Sequence, residues 1–405
     1  MPQFGDTNPA AAVERMLSRT APTSSVRESL SDPAAIVGRV LAEPLRLDRD
    51  SPACDVSAMD GFAIRHGELV AGPVAIAGEC PIGQPPALLP VGSALRIYTG
   101  SPLPRGADTV VRLEWVTESA NKIALPAERE LRLGQDIRRQ AENSLAGDLV
   151  APAGTPLSMA TVAATASIGP ATIALHRRLR VAVLTTGDEV AGHQESLAAG
   201  EPLPPWQLRN SNGPALVAML QSLRFVAQVD HQHVKDTLAL LTRALQSVLS
   251  NCDAVVLTGG VSKGAYDHVR TAVEQVGGEI LFHGVTARPG RPTLGAVVSG
   301  VPVLGLPGNP VAVLTTSRRL LTPVLRQRAG IEKAHPPALL VSLAEWGPKT
   351  LPLTWWRPVT LTGPGQATVA SLRGSGDVCG PATTDGFIEA PPHCAHTGPF
   401  PFYAW

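Results

Sequence analysis

The sequence predicts a multidomain protein of the α/β plus β class. It should hold a mostly parallel α/β domain, an inserted β domain, a helical segment and a small C-terminal β domain. Three observations carry this. The chain has 405 residues, more than one ordinary core accommodates. From Arg180 to about Gln327, short apolar runs alternate with helical periodicities, the pattern of a parallel sheet covered by helices on both faces. From Gly61 to about Asn143, short strand-like runs are separated by Gly and Pro, as in a compact β module.

The elements follow in order. Asn8-Pro9 and Asp32-Pro33 each pair an N-cap residue with a proline at the first helical position. Val13, Met16 and Leu17 follow the first, and Ile36, Val37, Val40 and Leu41 the second, so the first 45 residues are expected to be helical as far as Pro44. Phe62-Ala63-Ile64, Val74-Ala75-Ile76, Leu95 to Tyr98 and Val110 to Leu113 are expected strands, and Ser158 to Ser167 a helix stopped by Gly169-Pro170. In the α/β part, strands are expected at Val181 to Thr185, Asp253 to Thr258, Glu279 to Val285, Thr293 to Ser299 and Val301 to Leu306. Helices are expected from Asn212, from an Asp236 cap, from Val269, and from Pro310 to about Gln327. Pro336-Pro337 marks a linker, and the tryptophan-bearing tail reads as a small β domain. The expected boundaries are 1–46 with 144–177 (helical, discontinuous), 47–143 (inserted β), 178–328 (α/β) and 329–405 (C-terminal β).

Composition narrows the function. Lys plus Arg equal Asp plus Glu at 34 each, which argues against non-specific nucleic-acid binding but leaves room for a local anion pocket. The five cysteines are scattered with no C-x-x-C pair, as suits a reducing cytoplasm. The first residues include Asp6 and Glu14 and no apolar stretch, so no signal peptide is expected. The apolar run Pro156 to Leu175 is too interrupted to span a membrane.

Three turns stand at expected strand ends: Thr185-Thr186-Gly187-Asp188-Glu189, Thr258-Gly259-Gly260-Val261-Ser262 and Leu306-Pro307-Gly308-Asn309-Pro310. Glycine admits backbone N–H groups close to a phosphate, and a following helix start favours an anion. Asp188 and Glu189 at such a lip have the oxygen chemistry for Mg²⁺. Ordinary tight turns use the same residues with no ligand. Arg288-Pro289-Gly290-Arg291 places two guanidiniums where they can converge on one anion, although an isolated R-P-G-R reads first as a solvated basic loop. Asp55 to Gly61 reads by itself as a polar turn, and Arg138 to Asn143 as a surface ion-pair cluster. His231-Gln232-His233 has no third metal ligand at recognisable spacing and reads as a loop or strand pair.

In order, S-A-M-D-G, Y-T-G-S-P, R-R, T-T-G-D-E, T-G-G-V-S-x-G-x-x-D, R-P-G-R-P and L-P-G-N-P-V resemble the MoeA/gephyrin E-domain family, the molybdopterin molybdenumtransferases. The resemblance runs from the Met16 helix to the tail. It implies a four-domain protomer in an elongated homodimer, with a molybdopterin-binding α/β domain. It further implies Mg²⁺-assisted insertion of molybdate into adenylylated molybdopterin with release of AMP. Catalytic positions would be Asp60, Thr99, Glu142, Asp188, Glu189 and Asp267, of which Asp188, Glu189 and Asp267 would hold the metal. Ligand-binding positions would be Gly187, Gly259, Gly260, Ser262, Pro307, Gly308, Asn309, Arg138, Arg288 and Arg291. Partners would be a molybdopterin adenylyltransferase and client molybdoenzymes.

The sequence departs from the family pattern. Arg288 and Arg291 replace lysines, Ala312 replaces a serine, Ala141-Glu142-Asn143 replaces G-E-D, Lys235-Asp236 replaces an acid pair, and Ser375 to Gly380 replaces S-H-M-x-S-S. Lost hydroxyl donors open an alternative: a diverged paralogue that carries molybdopterin or finished cofactor, or that inserts tungsten. The Pro-rich loop Gly200 to Trp206 is a candidate docking segment or a plain surface insertion.

Overall fold

The computed structural model describes residues 7–29, 32–170, 172–191, 203–262, 268–335 and 338–405. The chain divides into two compact units, Met1–Glu43 with Pro152–Val162 and Ala171–Trp405, and Pro44–Ala151 with Ala163–Pro170. Asp267, Pro336, Pro337 and the Gly200 to Pro202 part of the Pro-rich loop lie outside the described residues.

The first unit is built on a six-stranded sheet. Its strands stand in the order Val226–Val234, Leu179–Thr186, Ala254–Thr258, Val301–Leu306, Leu294–Val298, Glu279–His283. The first four run parallel and the last two antiparallel. The central strands are apolar on both faces, as a doubly covered sheet requires. Val181 and Val183 enter one core with Met16, Leu216, Leu220 and Val313, while Ala182 and Leu184 enter another with Leu241, Leu245 and Val273. That alternation sets the helices Pro9–Leu17, Asn212–Gln221 and Pro310–Thr316 on one face and Leu238–Leu249 and Val269–Gln275 on the other. Ser299 and Gly300, at φ of 49° and 81°, form the tight hairpin expected at Gly300.

The tail closes into a small barrel. Strands Thr354–Gly363, Gln366–Val369, Leu339–Leu343, Phe400–Ala404 and Gly386–Ala390 pair in that order, and the last pairs back onto the first. Val341, Trp346, Val359, Ile388 and Phe400 fill it. Ala287–Arg288 adds to Thr354–Trp355 in parallel, tying the arginine turn to the barrel.

The second unit is a six-stranded sheet in the order Thr109–Arg112, Gly61–Ile64, Ser93–Ile97, Val74–Glu79, Lys122–Ala124, Thr117–Ser119. It contains the expected strands. Gly61 lets two of them close up: a Cβ there would lie 2.0 Å from the Val111 carbonyl oxygen.

Several expectations are corrected. The first 45 residues are not all helical. Asn8 caps Pro9–Leu17, but Ser25–Ser29 is a strand paired antiparallel with Thr172–His176. Asp32 caps a helix of only four residues, Pro33–Ile36. It stops at Val37, whose ψ of 130° leaves the helix; Gly38 follows at φ +77°, packed against the Arg224 side chain, and Val40 and Leu41 bridge to Pro156 and Leu175. Asp236 caps nothing: Thr237 is the N-cap of Leu238–Leu249, and the Asp236 carboxylate accepts from the Thr186 hydroxyl. The last helix is interrupted by a wide π turn at Ser317–Leu321. Pro323, two residues beyond, lacks the N–H that would bond Arg319, and Thr322 bonds its hydroxyl to Ser317 O instead.

One buried ion pair binds barrel to α/β layer. Arg319 Nε and Nη2 donate to Glu389 at 2.6 and 3.2 Å, and Trp356 Nε1 donates to the same carboxylate at 2.9 Å. The two side chains are 9% and 19% exposed, so neither is replaced by water without loss. Glu389→Ala strands the guanidinium. It is expected to destabilise this unit by about 3–5 kcal/mol, read as a lowered denaturation midpoint in tryptophan fluorescence.

Candidate functional site

The three glycine turns meet because their strands are adjacent and parallel. Thr185 pairs with Thr258, and Thr258 with Leu306, so the chain leaves the sheet three times at one edge. Gly187, Gly259, Gly260, Pro307, Gly308 and Asn309 line one cavity of about 660 Å³, with Glu189 and Ser262 at its wall. Gly259, at φ +93°, is forced by this closeness, since a Cβ would meet the Thr186 carbonyl oxygen at 2.5 Å. Asn212, which opens the helix Asn212–Gln221, donates from Nδ2 to Thr258 Oγ1 at 3.2 Å and to Gly308 O at 2.8 Å, clamping two turns together.

Behind the first turn lies a polar network. The Thr185 hydroxyl contacts Asn210 Nδ2 at 3.1 Å, His231 Nε2 at 3.2 Å and His233 Nδ1 at 3.0 Å. The two histidines are thus alternate residues on one face of the edge strand, directed at a threonine. Asp188 is exposed, and its Oδ1 accepts from the Asp236 N–H at 3.2 Å. Glu189 is exposed beside Gly187. Among the described residues, no three His, Cys, Asp or Glu side chains cluster as a metal set. Asp188 and Glu189 do fit Mg²⁺, which binds one or two carboxylates and takes its remaining ligands from water and phosphate.

The arginine turn borders a second cavity of about 560 Å³, which shares Pro292, Pro307 and Asn309 with the first. Arg288, Arg291, Lys349 and Arg357 line it. Gly290, at φ +110°, packs where a Cβ would meet Thr316 at 2.6 Å and Trp356 at 2.9 Å. Arg357 lies over the rings of Trp346 and Trp355, 4.7 and 4.5 Å from their centroids, and burial pulls its pKa down. Ala312 and Ser375 are in the wall, and the Val311 N–H donates to Ser375 O at 3.2 Å, holding the tail against the Pro310–Thr316 helix.

Cys379 and Gly380 are not in that wall. Their N–H groups donate to Asp377, whose carboxyl is held below its ordinary range first by the Arg373 N–H and then by Gly380. A Cβ on Gly380 would meet Leu372 at 2.2 Å, so a side chain is excluded there without local movement. Of the lost hydroxyls singled out in the sequence, the one at Ala312 bears on the cavity.

The second unit gathers the remaining motif residues at one end of its sheet. Gly100 N–H donates to Ser57 O, Ser57 N–H to Ser101 O, and Ala58 N–H to Asp136 O. Val56–Ser57 pairs with Ile137–Arg138. Asp60 Oδ1 accepts from Thr99 N and Oγ1, both at 2.8 Å. These bonds hold the Asp60 carboxyl below its ordinary range, the backbone N–H contributing most. Arg138 Nε donates to Glu142 at 3.4 Å and its Nη2 to Asn143 at 2.5 Å, while Arg139 pairs with Asp55 at 2.7 Å.

Sequence reasoning missed Asn210 as a wall residue, Asn212 as a clamp, and Lys349 and the Trp355-Trp356-Arg357 run in the second cavity. Asn212-Gly213-Pro214 reads as a helix start, and the cavity roles of Asn210 and Asn212 depend on strands far away in sequence.

Residues 7–169 match the MoeA N-terminal region (domain I and II), and residues 182–327 match a probable molybdopterin binding domain. A molybdopterin molybdenumtransferase from a Nostoc species is 35% identical over 313 residues, 75% of this chain and 70% of the relative. One from Staphylococcus epidermidis is 30% identical over 391 residues, 94% of this chain and 90% of the relative. The crystal structure of a molybdopterin biosynthesis MoeA protein from Pyrococcus horikosii superposes with a TM-score of 0.79 at 25% identity, covering 98% of this chain and 97% of that one. With its glycine turns joined in one cavity and relatives matched over most of their length, the chain belongs to the molybdopterin molybdenumtransferase family.

Proposed function

We propose that this protein inserts molybdate into adenylylated molybdopterin with release of AMP, in molybdenum cofactor biosynthesis. The observation that carries the reading is that two cavities adjoin across shared wall residues. Three turns suited to phosphate line one, and four cationic side chains line the other, with Pro292, Pro307 and Asn309 common to both. The first is matched to the phosphate-linked ligand and the second to the incoming oxyanion.

The residues then have separate tasks. Backbone N–H groups at Gly187, Gly260 and Gly308 receive phosphate oxygens, Gly259 allows the close approach while its own N–H donates to Leu306 O, and Ser262 and Asn309 form polar wall. Arg288 and Arg291 bind and orient molybdate, and Arg138 offsets further charge on the ligand. Asp188 and Glu189, with Asp267, would hold Mg²⁺, which when bound polarises the phosphoryl group. Asp60, Thr99 and Glu142, like Arg138, would come from the second protomer of the proposed homodimer and orient the reacting groups. The dithiolene sulfurs belong to the ligand, so no protein cysteine is needed. The reading includes a cytoplasmic homodimer, protomers of four domains divided as the sequence indicates, an adenylyltransferase that supplies substrate and molybdoenzymes that receive product. Among the described residues, no helix is long and apolar enough to cross a membrane.

A second reading rests on Ala312, which puts a methyl group where the second cavity would gain from a donor. In that reading the protein carries molybdopterin or the finished cofactor without inserting metal.

Purified protein given authentic adenylylated molybdopterin should release AMP only when both Mg²⁺ and molybdate (or tungstate) are supplied, and Asp188→Asn should slow release at least about tenfold. Absence of AMP under all of these conditions sinks the enzyme reading, and tight pterin binding in the same preparation establishes the carrier. Ala312→Ser is expected to raise molybdate-dependent turnover several-fold. An unchanged rate would mean that the missing hydroxyl does not limit insertion. Thr99→Val removes the hydroxyl bond to Asp60 and should move the Asp60 titration midpoint up towards the ordinary carboxylate range, as followed by NMR. A depressed carboxyl stabilises the fold above its unfolded pKa and loses that contribution as pH falls through the folded value. The variant should therefore lose stability at higher pH on acidification than the parent.

A further inference from the structure

A third cavity in the first unit, of about 690 Å³, opens at the amino ends of the Leu179–Thr186 and Ala254–Thr258 strands. An eight-residue strand separates it from the turn cavity by about 25 Å. Four arginines line it, Arg39, Arg177, Arg178 and Arg180, against two carboxylates, Glu28 and Asp253.

The pairing among these groups is uneven. Asp253 is consumed: it accepts both Nη atoms of Arg177 at 2.5 and 3.0 Å and the Arg180 backbone N–H at 2.8 Å. Glu28 meets Arg39 through one contact of 3.3 Å. The Arg39 side chain is only 7% exposed, and its Nε has no hydrogen-bond partner among the described residues. Arg178 donates to a neutral carbonyl, Val226 O, at 2.7 Å. Partial burial, then Arg39 and Arg224, hold its pKa down, so it is a cation crowded by cations. Cys252 in the wall adds no negative charge, because burial, then Asp230 and Asp253, push its thiol up to about 11. With Arg224 and Arg328 nearby on one side and Asp230 on the other, the local balance stays positive.

A crowded, under-neutralised group of planar forks is the donor set that oxyanions of the phosphate class fit. We propose that this pocket is a second anion site, in which Arg39, Arg178 and Arg180 receive a phosphate-class dianion, either free or as the phosphoryl group of a small metabolite. It lies at the opposite end of the sheet from the molybdopterin cavity and does not depend on the function assigned there.

Calorimetric titration of the full chain with inorganic phosphate, and separately with AMP, tests it at constant ionic strength set by chloride. The wild type should bind phosphate saturably. R178Q/R180Q should lose one bound equivalent per chain or weaken that site at least tenfold, while R288Q/R291Q retains it. If the equivalent lost in R178Q/R180Q is tighter for AMP than for phosphate, the ligand is a phosphoryl metabolite. The reverse order identifies free phosphate. Identical isotherms for wild type and R178Q/R180Q, or no saturable binding to the wild type, overturn the proposal. R180Q alone, at an exposed position, supplies the same comparison if the double variant fails to fold. It should weaken the site at least threefold, and an unchanged affinity again overturns the proposal.

Discussion

Parallel pairing of three apolar strands sets the terms for the rest of the molecule. Leu179–Thr186, Ala254–Thr258 and Val301–Leu306 are buried along nearly their whole length, so the polar side chains they offer stand at their ends, Arg180 at one and Thr185, Thr186 and Thr258 at the other. They leave it in register. Thr185 stands beside Thr258 and Thr258 beside Leu306, which puts three glycine turns within reach of one ligand. A slip of one residue would reverse the faces of Val181, Ala182, Val183 and Leu184 and exchange the two cores. The packing of the interior therefore enforces the alignment of the turns.

The second cavity depends on the first through a chain of contacts. Arg288 extends the barrel by pairing beside Trp355, and Gly290 rests against Trp356. Trp356 donates to Glu389, and Glu389 holds Arg319 on the π turn that follows the Pro310–Thr316 helix. That helix begins at the L-P-G-N-P turn, which borders both cavities. The arginine turn is thus fixed by the same layer that positions the glycine turns. A buried ion pair tolerates little displacement, because each partner has given up its water. The barrel consequently behaves as a wall of the site.

The local rules made part of this legible. Apolar runs ending in Gly read correctly as central strands, and Asn8-Pro9 and Pro310 as helix starts, because the determinants lie within a few residues. Failures occurred where the determinant is distant. The helix after Asp32 ends early, and the chain beyond it packs Gly38 against Arg224, nearly two hundred positions away. Val226–Val234 has one face turned outward, and its polar alternation gives a weaker signal than a buried strand. Barrel closure joins Thr354–Gly363 to Gly386–Ala390 across three intervening strands. Asn212 reads as a helix opener and becomes a clamp only when Thr258 and Gly308 arrive beside it. His231 and His233 stand on the edge strand, as a strand pair would, and their contacts to Thr185 account for them.

Neutral overall composition conceals a deliberate separation of charge. Acids are spent locally: Asp253 on Arg177, Glu389 on Arg319, Asp55 on Arg139 and Asp136 on Arg112. Arg288, Arg291, Lys349 and Arg357 instead line a cavity. Low-dielectric walls around such a group concentrate its field on whatever anion enters. The departures from the family pattern act on this field in opposite directions. Ala312 removes a neutral donor from the wall, while arginine in place of lysine at 288 and 291 exchanges compact ammonium groups for planar forks with more N–H donors. Charge is conserved and directionality increases. On the proposed function, an oxyanion held there would meet guanidinium edges where the family pattern places ammonium and hydroxyl. The chemistry of this member should therefore differ from its relatives in how the oxyanion is oriented more than in whether it is attracted.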